Sequence, residues 1–254
     1  MYHDVVKGDN ADVSGFPGGP AALYKLSLPL FQQHLKAIAA VGQTPQTVSA
    51  SHEPSGTPLF LTFDDGGVSA ADVIAPLLEE RGWRAHFFMT TDYIGHPGFL
   101  TSQQLRDLAA RGHIIGSHSA SHPVPMSGLK RSELLTEWST SRARLEDILG
   151  APVETASVPG GHYSREVGET AAAAGYRVLF CSEPTARVNR VAGCWLLGRY
   201  YLQRGMSAST AAGFAAGHWG PCLRQTLLWN AKKAAKMVAG KPYLKLRRML
   251  LEQR

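Results

Sequence analysis

Short apolar runs, rich in β-branched and aromatic residues, alternate along the chain with longer segments of helical periodicity. Leu59–Phe63 and Ala85–Met89 are runs of the first kind, whereas Lys130–Leu149 carries apolar residues at helical spacing among polar ones. Short uninterrupted apolar runs are typical of strands that are buried on both faces of a parallel sheet. Strands that alternate with helices therefore predict an α/β fold, in which a parallel sheet or barrel has its helices outside.

The predicted elements cover most of the chain. Strands are predicted at Met1–Val6, Leu59–Phe63, Ala85–Met89, His113–Ser117, Thr155–Val158, Arg177–Phe180 and Cys194–Tyr200. Helices are predicted at Ser27–Ala40, Ser69–Arg81, Thr101–Arg111, Lys130–Leu149, Ser164–Ala174, Ser207–Ala216, Pro221–Ala239 and Pro242–Leu251. Thr101 and Gln104 form a capping-box pattern at one helix start. A glycine follows the last predicted residue of several helices, among them Gly82, Gly112 and Gly150.

Composition narrows the class of protein. With 44% hydrophobic and 18% charged residues, the chain is neither collagen-like, coiled-coil nor wholly disordered. Its apolar runs fall short of the roughly 18 residues that a membrane span requires. The first residues lack a basic segment followed by an apolar one, so no secretory signal is expected. The three cysteines, Cys181, Cys194 and Cys222, are too far apart for a CxxC metal site or a disulfide framework. We therefore expect a reducing, cytoplasmic location.

The net charge of +6 is concentrated near one end of the chain. Residues 223–254 hold nine basic residues and one acidic residue, a balance of +8, which leaves −2 for the rest. The nearly neutral main body predicts no nucleic-acid partner. We expect a barrel over residues 1–220 and a basic helical extension over 221–254. Either the extension packs an apolar stripe on the barrel, or it anchors the protein peripherally on the anionic inner membrane. The predicted stripe comprises Leu223, Leu227, Met237 and Val238.

Two groups of reactive side chains follow predicted strands. Asp64 and Asp65 stand on a glycine turn after the first buried strand, and His118 and His122 follow a later one. Catalytic groups in such folds lie on the loops beyond the carboxyl ends of the strands, so the two groups should meet. Histidines four residues apart lie on one face of a helical turn, a spacing that suits one metal ion. One carboxylate would complete a His₂-Asp site and the other would be free as a base. Four further histidines lack this context and are expected to be structural or solvated: His34, His52, His86 and His96.

The strings Leu61–Gly66 (LTFDDG) and His118–Pro123 (HSASHP) resemble the two leading motifs of the polysaccharide deacetylases, the NodB-homology or carbohydrate esterase family 4 proteins. The resemblance extends over roughly residues 1–205 and implies a distorted (β/α) barrel. It also implies that Asp64 is the general base. The implied ligands of one divalent metal ion, usually Zn²⁺, are Asp65, His118 and His122. Such an ion polarises an acetamide carbonyl and lowers the pKa of a water molecule.

The family's third motif, Arg-x-Pro-x-Gly, lines the pocket and matches Ser157–Gly161. The match implies that the Gly160 N–H stabilises the oxyanion of the reaction. Its arginine, which normally holds the catalytic aspartate, is Ser157 in this chain. Arg199 is a candidate to replace it from another strand. The departure favours the branch found in exopolysaccharide gene clusters over chitin deacetylases. The predicted substrate-binding residues are Pro159, Gly161, His162, Tyr163 and Arg199.

The general acid is left open among three histidines. His3 lies in a Tyr-His-x-Val-like start that resembles the first strand of deacetylases of poly-N-acetylglucosamine export, where a histidine reaches the active site. His162 is the second candidate. His218 is a weak match to the family's late Leu-x-His motif, because it follows a predicted helix. Alternatively, His3 has no catalytic role and only orders the end of the strand.

The predicted activity is hydrolysis of N-acetyl groups on amino sugars of a bacterial exopolysaccharide or its precursor, so the expected partner is an acetylated glycan. An O-deacetylase or a ring-opening amidase would use the same metal and base. A non-catalytic glycan-binding protein is a further alternative. The presence of Asp64, Asp65, His118 and His122 together argues against it, because a degenerate site has no need of the base.

Overall fold

The computed structural model describes residues 1–48 and 58–234. Its strands are β1 (Asp4–Val6), β2 (Lys25–Ser27), β3 (Thr62–Phe63), β4 (His86–Met89), β5 (Ile114–Ser117), β6 (Thr155–Ser157), β7 (Val178–Phe180), β8 (Val188–Val191) and β9 (Cys194–Leu197). Its helices are α1 (Gly19–Ala22), α2 (Leu28–Ala39), α3 (Ala75–Glu79), α4 (Ser102–Ala110), α5 (Arg131–Leu149), α6 (Arg165–Ala173) and α7 (Ala208–Ala215). Residues 219–234 are also helical and are called the C-terminal helix below.

Seven strands form one curled sheet in the order β3-β4-β5-β6-β7-β9-β8. All neighbours are parallel except the antiparallel pair β8 and β9. A second, two-stranded parallel sheet contains β1 and β2. The predicted parallel α/β architecture is therefore confirmed, and the curled sheet with outer helices is the distorted barrel that the resemblance implies.

The first strand closes the gap between the two sides of the curled sheet. The Tyr2 amide donates to the Thr62 carbonyl at 2.8 Å, and the Asp64 amide donates to the Tyr2 carbonyl at 3.1 Å. On the other side, the Leu202 amide donates to the Met1 carbonyl at 2.9 Å. The segment before β1 thus lies between the end of β3 and the segment after β9, so residues from both ends of the barrel meet at one place.

The two faces of the strands supply two hydrophobic clusters. Successive side chains on a strand point to opposite faces. Phe87 accordingly belongs to the large cluster that packs against the helices, whereas its neighbour Phe88 belongs to a smaller one with Phe180, Trp195 and Leu197. These side chains are buried, which explains why the strands read as continuous apolar runs.

Local capping signals act as predicted. Thr101 accepts a hydrogen bond from the Gln104 amide, and the Gln104 side chain accepts one from the Thr101 amide at the start of α4. Gly150 ends α5 with φ of 66°, a left-handed conformation in which glycine is not strained. Ser164 and Ser207 cap α6 and α7 with their hydroxyl groups.

Two predicted elements differ from the structure. The predicted helix over Ser69–Arg81 opens with a wide π-helical segment, Ala70–Ile74, and is α-helical only over α3. Pro76 lacks an amide hydrogen, so the regular bond to the preceding turn cannot form there. The predicted strand Cys194–Tyr200 ends at Leu197 and pairs with β8, which was not predicted. β8 is mostly exposed and polar, so it lacks the apolar run that identified the other strands.

The C-terminal helix packs on the barrel through one face. Gln225 is buried and Trp229 is half-buried against the barrel, whereas Leu227 is 58% exposed. Of the two alternatives for the extension, packing of Leu227 on the barrel is therefore not observed. Met237, Val238 and the predicted helix Pro242–Leu251 lie outside the described residues, as does His52. Among the described residues, no helix is long and apolar enough to cross a membrane. All three cysteines carry free thiols.

Candidate active site

The adjacent aspartates stand on a tight turn at the carboxyl end of β3. Asp65 has φ of 77° and Gly66 φ of 89°, so the chain reverses within two residues. Aspartate is one of the few residues besides glycine that adopts this left-handed conformation. At Gly67 a side chain is excluded, since a Cβ atom would lie 2.0 Å from the buried Asp4 carboxylate. The turn therefore holds Asp64 and Asp65 at the mouth of the barrel.

The two histidines lie on an irregular loop after β5. The expectation that they share a helical turn is wrong, because no helix covers the segment, and Ser119 and His122 have φ of 65° and 61°. Their side chains meet nevertheless, with ring centroids 5.0 Å apart. Glu137 of α5 holds the loop by accepting from the amides of Ala120 and Ser121 at 3.0 and 2.9 Å. The loop shape, and not helical spacing, brings the rings together.

Asp65, His118 and His122 converge on one point. Asp65 Oδ1 lies 3.4 Å from His118 Nε2 and 3.5 Å from His122 Nε2. The three ligand atoms all lie within 4.8 Å of one another. Asp65 Oδ1 is buried and accepts no hydrogen bond from the described residues. A buried carboxylate oxygen without a partner is costly unless a cation binds it, so the donor set fits a divalent metal ion.

The charge states of these ligands suit metal binding. Burial, followed by the neighbouring charge of His118, lowers the pKa of His122 to about 4, so its ring is neutral at pH 7. Burial would raise the pKa of Asp65, but the charges of His3, His118 and His122 outweigh burial and lower it. One ionised carboxylate and neutral imidazole nitrogens are the species that coordinate Zn²⁺.

Arg199, which follows β9, binds Asp64, which follows β3, where the two sides of the barrel meet. Arg199 donates from Nη1 to Asp64 Oδ1 at 2.7 Å and from Nη2 to Oδ2 at 2.8 Å, while both side chains are buried. Its Nη1 also donates to Thr62 Oγ1 at 3.2 Å, and its Nε to the Cys181 carbonyl at 3.3 Å. Burial raises the pKa of Asp64, but the charge and hydrogen bonds of Arg199, together with the charges of His118 and His3, outweigh burial and keep the pKa below its ordinary value. Asp64 is therefore ionised, fixed and 4.0 Å from His118 Nε2.

Ser157 contacts the other nitrogen of His118. The Ser157 hydroxyl oxygen lies 2.6 Å from His118 Nδ1, and the Ser157 carbonyl lies 3.1 Å from the same atom. A carbonyl oxygen only accepts, so these contacts favour a proton on Nδ1 and a lone pair on Nε2. Sequence reasoning treated Ser157 only as the loss of an arginine. A serine that ends a strand neighbouring the histidine strand was the available signal for this contact.

The three candidate acids lie in different surroundings. His3 packs on Tyr24 with ring centroids 4.5 Å apart, and its Nδ1 is buried without a hydrogen-bond partner among the described residues. After burial, which raises the pKa of Asp65, the charge of His3 has the largest effect on that pKa and lowers it. His162 lies beside the motif-three loop and is half-buried. His218 is exposed in the loop after α7. The fold therefore brings His3 to the carboxylates and leaves His218 on the surface.

The motif-three loop, Pro159–Gly161, contains two successive left-handed glycines. Gly160 and Gly161 have φ of 59° and 68°. Gly160 is exposed beside Val124, while a Cβ atom at Gly161 would lie 2.9 Å from the Trp229 ring. The C-terminal helix therefore covers one end of this loop. Two predicted substrate contacts are less open: Pro159 is buried, and the Tyr163 ring packs on Gly168 of α6.

An aromatic wall that sequence reasoning missed flanks the histidine loop. Phe16 lies 4.9 Å from the His122 ring, 4.7 Å from Tyr93 and 5.1 Å from Phe99, measured between ring centroids. The loop that carries it is anchored because the Asp4 carboxylate accepts from Ser14 Oγ at 2.6 Å. An aromatic residue isolated among glycines and prolines at Gly15–Gly19 was the only sequence signal.

His34, His86 and His96, which were expected to be structural or solvated, are structural or solvated in the described chain. His34 is buried, with Nδ1 3.3 Å from the Tyr2 hydroxyl and Nε2 2.9 Å from the Met206 carbonyl. His86 is buried, and its Nε2 accepts from the Val48 amide at 3.0 Å. His96 is exposed.

Comparisons with known proteins agree with this geometry. A family model described as polysaccharide deacetylase matches residues 51–179. The chain is 29% identical over 216 residues to YxkH of Bacillus subtilis (strain 168), which its name assigns to the polysaccharide deacetylases, and the match covers 82% of this chain and 72% of YxkH.

Two solved structures share the fold. The Streptococcus pyogenes deacetylase PplD in complex with acetate is 20% identical with a TM-score of 0.68, covering 82% of this chain and 93% of its own. A de-N-acetylase from Aggregatibacter actinomycetemcomitans is 18% identical with a TM-score of 0.65, covering 79% and 92%. At sequence identities of 20% and 18%, these two structures show that the chain shares their fold.

Proposed function

Because the chain belongs to the polysaccharide deacetylase family, we propose that it is a metal-dependent deacetylase that removes N-acetyl groups from amino sugars of an exopolysaccharide or its precursor. One observation carries the proposal: the partnerless oxygen of Asp65 faces His118 and His122 while Arg199 holds Asp64 beside them. Most buried polar atoms in proteins have a hydrogen-bond partner, so a bare carboxylate oxygen that faces two imidazole nitrogens suits a cation.

The residues take separate roles in this proposal. Asp65, His118 and His122 hold a divalent ion, most consistent with Zn²⁺ from one carboxylate and two imidazoles. When bound, that ion supplies Lewis-acid polarisation of the substrate carbonyl and makes water a stronger acid. Ser157 orients His118, because its carbonyl oxygen accepts a hydrogen bond from the Nδ1–H of the imidazole. These roles use every member of the cluster.

Asp64 acts as the general base. Arg199 keeps it ionised at neutral pH and fixes both oxygens, each of which retains a lone pair for a proton from the attacking water. The guanidinium thereby replaces the arginine that the third motif lacks. The exposed Gly160 N–H is the proposed donor to the oxyanion.

His3 acts as the general acid. Its position near the carboxylates and its unpartnered buried Nδ1 support this role over His162 and His218. An amide nitrogen must gain a proton before it leaves, whereas an ester oxygen leaves more readily without one. A dedicated acid therefore favours N-deacetylation over O-deacetylation. The structural similarity to the de-N-acetylase from Aggregatibacter actinomycetemcomitans also supports N-deacetylation.

Acetate release tests the proposal. The full chain is incubated with acetylated chitooligosaccharides and with poly-N-acetylglucosamine, with and without a chelator and with metal added back. We expect acetate from at least one substrate, loss of release on chelation and recovery with Zn²⁺. An O-acetylated glycan run in parallel tests the competing ester activity. Glycan binding without acetate release, from metal-loaded protein, would establish a non-catalytic glycan-binding protein instead.

A further inference from the structure

The C-terminal helix has an inner face that is tied to the loops around the site. Gln225 is 4% exposed, and its side chain both accepts from the Tyr201 amide and donates to the Tyr201 carbonyl, each at 2.9 Å. Thr226 donates to the Pro184 carbonyl at 2.8 Å. Trp229 lies against Gly161. Because Tyr201 follows Arg199 by two residues, this face is fixed close to the proposed catalytic machinery.

Its outer face is apolar and open. Trp219 is 78%, Leu227 58% and Leu228 48% exposed. Seven large hydrophobic side chains are strongly exposed in the described chain, and three of them lie on this one helix. Trp219, Leu223 and Leu227 follow at intervals of four residues, so they line one side of it, with Leu223 half-buried between the two exposed side chains. An exposed apolar row of this kind indicates a docking surface.

The charge around this row indicates what docks there. Arg224, Lys232 and Lys233 are the charged residues of the helix, which contains no acidic residue, and Lys233 lies 3.9 Å from Glu183 of the barrel. A second copy of the chain would bring two such positive faces together, which is unfavourable. Nucleic acid would meet the cations but leave tryptophan and leucine in water. An anionic lipid bilayer satisfies both, because apolar side chains enter the headgroup boundary while lysines and arginines meet lipid phosphates.

We propose that the outer face of the C-terminal helix, formed by Trp219, Leu223, Leu227 and Leu228, docks on an anionic lipid surface. Since the inner face touches Gly161, docking places the motif-three loop next to that surface. The site would then meet glycans attached to, or emerging at, a membrane. The docking stands on exposure and charge alone and does not depend on the deacetylase proposal.

Vesicle flotation of the full chain tests the proposal. The probes are vesicles of phosphatidylcholine and of phosphatidylcholine with phosphatidylglycerol, each at low and high salt. We expect binding to the anionic vesicles that weakens with salt, and little to the neutral ones. Trp219→Ser/Leu227→Ser/Leu228→Ser should lower binding at least tenfold. Lys232→Gln/Lys233→Gln should lower it about fivefold for each charge, the equivalent of about 1 kcal/mol per basic residue.

Leu135→Ser/Val188→Ser is the matched control, because these exposed apolar side chains lie on α5 and β8. It should bind vesicles like the unaltered protein. Quenching by brominated lipid adds a direct readout, which Trp219→Phe should remove. No binding to anionic vesicles, or equal loss in the control, would overturn the proposal. So would a stable dimer that the triple variant dissociates, since a second copy would then cover the face.

Discussion

The site has two sides that begin from adjacent aspartates: the arginine side, Asp64 with Arg199, and the histidine side, Asp65 with His118 and His122. The partners of the two carboxylates differ. Arg199 donates to both oxygens of Asp64, so the protein itself satisfies that carboxylate. Asp65 Oδ1 has no such donor and faces two imidazole nitrogens instead. Both carboxylates have lowered pKa values. The comparison teaches that partner geometry, more than ionisation, separates a held base from a metal ligand.

The histidine side should be the more damaging one to break. His118→Ala removes one of three ligands and the contact with Ser157, so stoichiometric metal and acetate release should both be lost. Elemental analysis of the purified variant measures the first and the acetate assay the second. One tightly held ion per variant chain would show that the ligand assignment is wrong.

Removing the base on the arginine side should abolish most activity without loss of the metal ion. Asp64→Asn keeps the shape of the side chain but cannot take a proton, so the rate should fall by about 10²–10⁴. Metal content should stay at one ion per chain. If the asparagine variant lost metal and activity in the same proportion, Asp64 would belong to the histidine side.

Ser157→Ala sharpens the comparison within the histidine side. Loss of a partner behind a metal-bound histidine typically weakens metal affinity by about 10- to 100-fold. Competition with a chelator measures that affinity without any turnover. Ser157→Thr, which keeps the hydroxyl, should restore much of it. An alanine variant with unchanged affinity would leave Ser157 with a packing role.

Weakening the arginine side should move the pH dependence. Arg199 lowers the pKa of Asp64, so Arg199→Gln should raise that pKa. The base must be ionised, so activity falls as pH drops through this pKa. The acidic limb of kcat/KM should therefore shift to higher pH, with Arg199→Lys intermediate. An unmoved limb would assign it to another group.

Local features of the fold could be predicted from the sequence, and long-range ones could not. The capping box of Thr101 and the end of α5 at Gly150 depend on neighbouring residues, which is why they were predicted correctly. β8 was missed because an exposed edge strand needs no apolar run. Which side of the C-terminal helix packs was left open, because the helix docks through Gln225, whose two hydrogen bonds to backbone replace apolar contact.

The site divides in the same way. Strand-end reasoning brought Asp64, Asp65, His118 and His122 to one place, although the helical spacing invoked for the histidines was not the cause. The contact of Ser157 with His118 depends on the register of β5 and β6, and that of Arg199 with Asp64 depends on barrel closure. Neither the strand register nor the barrel closure can be predicted from neighbouring residues in the sequence.

Closure of the barrel has a consequence for folding. His3 lies in the segment before β1 and Arg199 in the segment after β9, and the Arg199–Asp64 contact spans 135 residues of chain. Contacts between such distant residues form slowly, since a long loop must close before they are gained. A chain with most of its sheet assembled but the segment before β1 undocked would still lack His3 at the site, and the Arg199–Asp64 contact forms only once β3 and the segment after β9 meet. Catalytic competence should therefore appear late in refolding, after most of the helical signal has returned.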